Sequence, residues 1–462
     1  MVRFASQVIS WGVTLAMVRL LTPQDYGLNA MIEVPLELLF LFSTLGLDVA
    51  IIHFGKRDPE QLASAFGLVL LVNISFFLVL LLSASEIAAY FREPRLTTLI
   101  QVACVVFVLV PFRVIPNALL DMALDFKLKS QVELAASIIS SMVALAMAIG
   151  GAGVWALVAA ILSNAILRAG LLAYFRPWVV RPALRLAPVS GLLYYGLVIM
   201  VGGAIGVIAS KAVNLLAGPQ LGAEILGYYA VTMVFSQLPM NKVMPILQQT
   251  MFPAFAKLKD QPVMARVYLL KSLQLSALVI FPLTIGMACV AEHLVAVVFG
   301  EKWLVIAFPL AIMAALSPLR LINQIFHGPL NAIGKAKIVS MIQVINLMIL
   351  TSGALFAVDY GLMGLVSLSG FSVVVATAVS AFVGGRIFKT GLVDLTKAVW
   401  PAFSASIFMA GVLMFARFLF IEQTGLIRLV VEVVSGGGAY VFAVRIFYRS
   451  TFNEIKKHLI GG

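Results

Sequence analysis

Apolar runs of roughly 20 residues recur along almost the whole of this 462-residue chain, and no other feature restricts its fold as much. A helix rises about 1.5 Å per residue, so roughly 20 apolar residues cross about 30 Å of hydrocarbon. Inside a bilayer every backbone N–H and C=O needs an internal partner, which leaves helices or closed barrels, and these runs are far too long for barrel strands. Composition agrees: 62% of residues are apolar and 11% charged, where a soluble domain carries about 25% charge. Mean hydropathy is +1.07. The expected fold is all-α and polytopic. Fourteen spans are expected, at residues 4–21, 29–52, 64–84, 97–120, 132–150, 154–174, 190–217, 225–251, 271–291, 304–327, 338–358, 361–384, 398–420 and 426–447.

The net charge of +12 raises the question of nucleic acid, but its placement answers it. Of 32 Lys and Arg, 22 fall in loops on one side of the expected spans and 7 on the other. That asymmetry is the positive-inside pattern, so no nucleic-acid partner is inferred and both termini are expected in the cytoplasm. Cys104 and Cys289 lie in apolar segments without metal-ligand spacing. The N-terminal run lacks a small-residue cleavage site and reads as a retained first helix. There is no Ser/His/Asp constellation, phosphate loop or metal cluster, so no catalytic residue, metal or cofactor is expected. Gly202 and Gly206 form a GxxxG that reads as helix packing, and the Asn73 sequon lies in a span.

The chain repeats with an offset of 208 residues. Lys127 and Lys129 match Lys335 and Lys337, Phe91 matches Phe299, Glu93 matches Glu301, Gly153 matches Gly361 and Leu157 matches Leu365. Arg113 and Arg320 fall one residue off that register, and Gly27 pairs with Gly227. Six spans per repeat is an even number, so both copies would enter the membrane in the same orientation, as in parallel-repeat transporters. The expected division is an N-terminal six-helix lobe (1–174), a basic cytoplasmic linker (175–189), a C-terminal six-helix lobe (190–385), and two further helices with a tail (386–462).

Polar residues inside apolar spans mark an interior or a water-filled cavity, because charge in hydrocarbon costs several kcal/mol. Residues 204–253 hold most of them. Lys211 and Asn214 lie one turn apart near the far end of one span. Gln237, Asn241, Lys242 and Gln248 recur in the next, a helix expected to be broken by Pro239 and Pro245. Arg113 and Arg320 sit at matched depth in the fourth span of each repeat, and Arg19 occupies the position of Lys211 in the first. Lys211 and Arg19 also suit snorkelling to the interface. Lys242 suits a helix ending early at Pro245. Glu33 and Glu37, at i and i+4 around Pro35, are the carboxylates placed to carry H⁺ or Na⁺, or else form a shallow solvated pair.

Several segments, in order, resemble the bacterial O-antigen and exopolysaccharide flippases of the multidrug/oligosaccharidyl-lipid/polysaccharide superfamily. They are RLLTPQDYGLNAMIEVPLELLFLFSTLGLDVAII (19–52), IAAYFREPRL (87–96), ALLDMALDFKLKSQVELAASI (118–138), GAGVWALV (151–158), LGAEILGYYAV (221–231), MFPAFAKLKD (251–260) and VVFGEKWLVIAFPLAIMA (297–314). The resemblance covers residues 1 to about 390. It implies an inner-membrane protein that moves an undecaprenyl-pyrophosphate-linked oligosaccharide by alternating access between two lobes, with ion coupling. Its partners would be that lipid-linked substrate, membrane lipids, H⁺ or Na⁺, and other polysaccharide assembly proteins. Such a cargo needs fixed cations for its phosphates and polar side chains for its sugars. A multidrug exporter of the same superfamily, with a cationic cargo, would favour an acidic cavity, whereas Lys211, Lys242, Arg113 and Arg320 are basic. A peptidoglycan-precursor flippase shares the pyrophosphate and is not separable by charge. A polysaccharide polymerase would require a large basic outer loop, which the sequence lacks.

Overall fold

The computed structural model describes residues 12–55, 58–177, 181–258, 261–419 and 425–448, and no strand occurs among them. The helices in order are α1 (12–20), α2 (Pro23–Ser43), α3 (Leu47–Phe54), α4 (Pro59–Phe91), α5 (Leu96–Ala103), α6 (Val106–Leu109), α7 (Pro111–Met122), α8 (Phe126–Ile149) and α9 (Trp155–Phe175). There follow α10 (Ser190–Lys257), α11 (Pro262–Leu294), α12 (Ala307–Ile325), α13 (His327–Ala332), α14 (Ala336–Ala357), α15 (Gly361–Phe388), α16 (Leu392–Leu419) and α17 (Leu426–Phe447). Among the described residues, ten stretches are long and apolar enough to cross a membrane. They become eleven if the bent pair Leu96–Leu109 and Pro111–Met122, 41° apart, is one span. Several of the ten contain a break: Pro23–Phe54 includes Leu45 and Gly46 at positive φ, Ala204–Pro245 includes Gly222, and Ala336–Phe388 includes the 3-10 turn Val358–Tyr360. Large apolar side chains such as Leu82, Phe356 and Ile427 stand exposed, as a lipid-facing surface requires.

The helices form two compact units, Met1–Gly227 and Tyr228–Gly462. In the first, local signals fix the entry of α2. Thr22 and Asp25 make a reciprocal capping box. Asp25 also accepts from the Val154 N–H at 2.9 Å, which ties the start of α2 to the start of α9. Gly27 and Gly227 let backbones touch: a Cβ on Gly27 would lie 1.6 Å from the Ala223 carbonyl oxygen, and one on Gly227 would lie 1.8 Å from that of Pro23. Asn73, the buried sequon residue, donates to the carbonyls of Ser43 and Val69 at 2.6 and 2.8 Å. It thereby satisfies an orphan carbonyl where α2 ends and α3 begins.

Three expectations about elements need correction. The span expected at 29–52 starts at Pro23 and is interrupted between α2 and α3, where Leu45 and Gly46 take positive φ. The span expected at 97–120 is not one rod, because Pro111 lacks the N–H that would continue α6 into α7. The helix carrying Lys242 is not broken at Pro239 or Pro245. It runs on to Lys257, and the single non-helical residue inside α10 is Gly222 (φ 75°, ψ 175°). Pro is tolerated in a membrane helix because neighbouring groups and small local adjustments re-satisfy the freed carbonyl.

The second unit is built on α11, which packs against α12, α16 and α17, while α14 and α15 form a hairpin against α12. Its core gathers Leu273, Phe281, Leu321, Phe326 and Phe388 from these helices.

Candidate substrate and ion sites

In the first unit, α2 carries Glu33 and Glu37 one turn apart on a single face, and the first arm of α10 lies against that face. Lys211 Nζ stands 2.9 Å from a carboxylate oxygen of each. The Lys211 side chain is 12% exposed and those of Glu33 and Glu37 are 36% and 43% exposed. Asn29 donates its amide to the other Glu33 oxygen at 2.8 Å. Asn214, one turn past Lys211, is buried. The residue expected to hold an anion and the residues expected to hold a cation are thus brought into one cluster. With all three ionised it carries one net negative charge. Arg19 lies exposed at the end of α1.

Arg113 comes from α7 and is half-buried. Its guanidinium lies 5.9 Å from the centroid of the Phe40 ring. It lines a cavity of about 630 Å³ together with Phe40, Thr44, Ser140 and Asn164. The Asn164 amide donates to the Ser140 hydroxyl at 3.3 Å.

In the second unit, Arg320 projects from α12 and is only 9% exposed. Its Nη2 is 4.0 Å from the Met233 sulfur, and its Nη1 is buried without a hydrogen-bond partner. No carboxylate pairs with it among the described residues. Beside it on α10, Tyr229 shares a 2.8 Å hydrogen bond with Ser369 of α15. Farther along α10, Gln237 and Gln248 are half-buried, and Asn241 and Lys242 are exposed.

One cluster escaped the sequence reading. Glu432 of α17 is 3% exposed and its carboxylate lies 3.0 Å from His293 Nδ1 of α11. Arg428 Nε is 3.4 Å away and Arg417 Nε of α16 is 4.0 Å away. Arg417 also binds Glu292 at 2.8 Å. The available signal was Arg428 and Glu432 at i and i+4, with Glu432 the one acid in α17.

Many apolar helices and no strand among the described residues, with Arg113 and Arg320 lacking an ion-pair partner among them and a separate carboxylate–lysine cluster, have the make-up of a membrane transporter. Residues 16–308 match the polysaccharide biosynthesis protein family, and the chain belongs to that family. It is 22% identical over 449 residues, 95% of this chain and 91% of the relative, to an uncharacterized membrane protein in the cps region of Klebsiella pneumoniae. It is 26% identical over 297 residues to the teichuronic acid biosynthesis protein TuaB of Bacillus subtilis. That match spans 63% of this chain and 61% of TuaB. Among solved structures, the lipid II flippase MurJ in an inward closed conformation superimposes with a TM-score of 0.80 at 12% identity, covering 98% of both chains. An inward-facing MATE multidrug resistance transporter of the MOP superfamily gives 0.65 at 15% identity, over 82% of this chain and 94% of that one. At such identities these two likenesses establish the fold, which is that of the MOP transporters.

Proposed function

We propose that this protein moves undecaprenyl-pyrophosphate-linked oligosaccharide units across the bacterial inner membrane by alternating access. The observation that carries the reading is Arg320. An arginine nine-tenths buried, with no carboxylate partner among the described residues, is costly unless an anion completes it during the working cycle. Arg113, half-buried over the Phe40 ring, is a second cation within the spans, and Lys242, Gln237, Asn241 and Gln248 supply further polar groups along α10 for phosphate and sugar. Membership of the polysaccharide biosynthesis family fits that cargo. Fourteen spans, a parallel repeat of six and cytoplasmic termini belong to the same proposal. The matching of α4, α8 and α9 in the first unit by α11, α14 and α15 in the second supports the repeat. The divisions at 174, 190 and 385, and association with other polysaccharide assembly proteins, are part of this reading as well.

Glu33 and Glu37 are the proposed coupling carboxylates. Lys211 occupies the place that a proton or Na⁺ would take, so coupling here would consist of exchanging one cation for another. This acidic cluster is also the one feature that favours a cation exporter. A deletion strain tests both readings. Loss of surface polysaccharide with lipid-linked units held on the cytoplasmic leaflet is the expected result. Normal polysaccharide together with new sensitivity to cationic drugs would overturn it in favour of the exporter.

A further inference from the structure

Glu432 of α17 is the one buried carboxylate among the described residues. Its Oε2 lies 3.1 Å from His293 Nδ1 of α11, in hydrogen-bonding geometry. Its Oε1 is 3.0 Å from the same ring nitrogen, 3.4 Å from Arg428 Nε and 4.0 Å from Arg417 Nε. Yet Oε1 and Arg428 Nε are both buried without a hydrogen-bond partner. A fixed ion-pair staple would fill its buried lone pairs, because a polar atom left unbonded in the interior is costly. The Glu432 cluster is incomplete as a staple, and its unfilled oxygen is a place where a proton can sit.

The titratable and charged groups around the His293 ring come from three helices. On α11, Glu292 stands beside it and Cys289 one turn before it. Arg417 comes from α16, and Arg428 and Glu432 from α17. The turn after α11, Val295–Phe299, adds only apolar side chains. With His293 neutral, the two arginines and two glutamates cancel, and one further proton makes the group positive. An ionised carboxylate can only accept, so Nδ1 carries the hydrogen given to Glu432, and Nε2 and Oε1 are the atoms that can take another. Histidine is the side chain whose charge ordinarily changes near neutral pH. Water reaches the group through Glu292, which is exposed and binds the half-buried Arg417 at 2.8 Å. Beside the group, Val290, Leu413 and Leu429 of the same three helices pack together in an apolar core. We propose that His293 and Glu432 form a proton-binding site in the second unit, separate from the Lys211 cluster of the first, and that its proton is a coupling ion of the transport cycle. On the topology proposed above, this end of α11 faces away from the cytoplasm, so the proton enters from outside. α11 also packs against α12, which bears Arg320, so a change of charge at its end acts on the helix that carries the buried cation. The site stands apart from the carrier reading, and only the use made of its proton rests on that reading.

The experiment uses the purified full chain in detergent, isotope-labelled at its histidines, and follows their NMR resonances from pH 5 to 8. The His293 resonance is the one lost in His293→Gln, and it is expected to titrate within that range. In Glu432→Gln the carboxylate is gone and both guanidinium groups remain, so protonation should require a pH lower by about one unit or more. Arg428→Gln removes a like charge instead, should move the titration the other way, and serves if Glu432→Gln does not fold. A His293 resonance that keeps one state across the range, or that neither variant moves, overturns the site and leaves a fixed staple. In cells, surface polysaccharide at normal protein abundance is then compared at external pH 6 and 8. Wild type should export more at pH 6, where the outer side supplies more protons, and His293→Gln should lose that difference. No difference in wild type, or one that His293→Gln keeps, overturns the coupling role. If the deletion strain retains its polysaccharide, the carrier reading fails, while the titration still decides the site.

Discussion

Lys211 holds Glu33 and Glu37 at once, 2.9 Å from each. One cation between two carboxylates leaves the group acidic whenever the lysine departs. Both glutamates are more than a third exposed, so solvent screening limits each contact to about 1 kcal/mol or less. A double-mutant cycle of Lys211→Gln with Glu37→Gln should yield a coupling of that size in thermal unfolding. Lys211→Glu should lower surface polysaccharide sharply, and the swap Lys211→Glu with Glu37→Lys should restore part of it. Export untouched by Lys211→Glu would remove the cluster from the transport cycle.

Arg320 sets stability against use. Replacing a buried, unpaired charge with an apolar group of similar size removes an uncompensated cost, so Arg320→Met should raise the unfolding free energy by about 1–3 kcal/mol. The same variant should abolish export, measured as surface polysaccharide at normal protein abundance. A variant that is less stable yet still exports would contradict both halves of the expectation.

Gly27 and Gly227 admit nothing larger. A methyl group at either would overlap a carbonyl oxygen, at 1.6 and 1.8 Å. Gly27→Ala and Gly227→Ala should each cost about 1–3 kcal/mol or force the helices apart. Gly170→Ala, at a position where a Cβ meets no neighbour within 4 Å, is the matched control and should be neutral.

Glu432 neutralises a crowd. Glu432→Ala would leave His293, Arg428 and Arg417 facing one another around a buried gap, and should cost about 3–5 kcal/mol. Retained stability in that variant would show that water enters the cluster freely.

Asp125, in the turn between α7 and α8, gives a pH signature. The Leu128 N–H donates to it at 3.2 Å and Arg176 pairs with it at 3.2 Å. Those contacts, the backbone bond first, hold its carboxyl below the usual aspartate value of about 3.9. The folded form therefore binds this proton less readily than the unfolded form. Its stabilising contribution is complete above the unfolded value and is lost as pH falls through the folded one. The stability gap between wild type and Asp125→Asn should accordingly stay level from pH 8 to 5 and close on further acidification.

Hydropathy carried the class of fold almost unaided, because length and apolarity alone decide which segments cross a bilayer. The family was legible for a different reason, the order of several short segments. Where helices bend was less visible. Pro239 and Pro245 look like breaks in the sequence, yet α10 absorbs them, while the real interruption falls at Gly222. Proline's missing donor is a local fact, but whether a helix yields there depends on its neighbours. Pairing was the least legible. Lys211, Glu33 and Glu37 were each picked out for charge in an apolar run. That the three meet depends on α10 lying against α2, nearly 180 residues apart in sequence. Glu432 was overlooked because its partners come from three helices, and only one of them, Arg428, is near in sequence.

Gly222 joins two helical arms with no loop between them. A Cβ there would touch nothing, so no steric neighbour demands glycine; the backbone angles do, since φ 75° with ψ 175° is open to glycine almost alone. The consequence is mechanical. A loop would let the two arms reorient independently, with slack shared among several residues. A joint one residue long has no slack, so any change of angle between the arms is written into two dihedrals of a single amino acid.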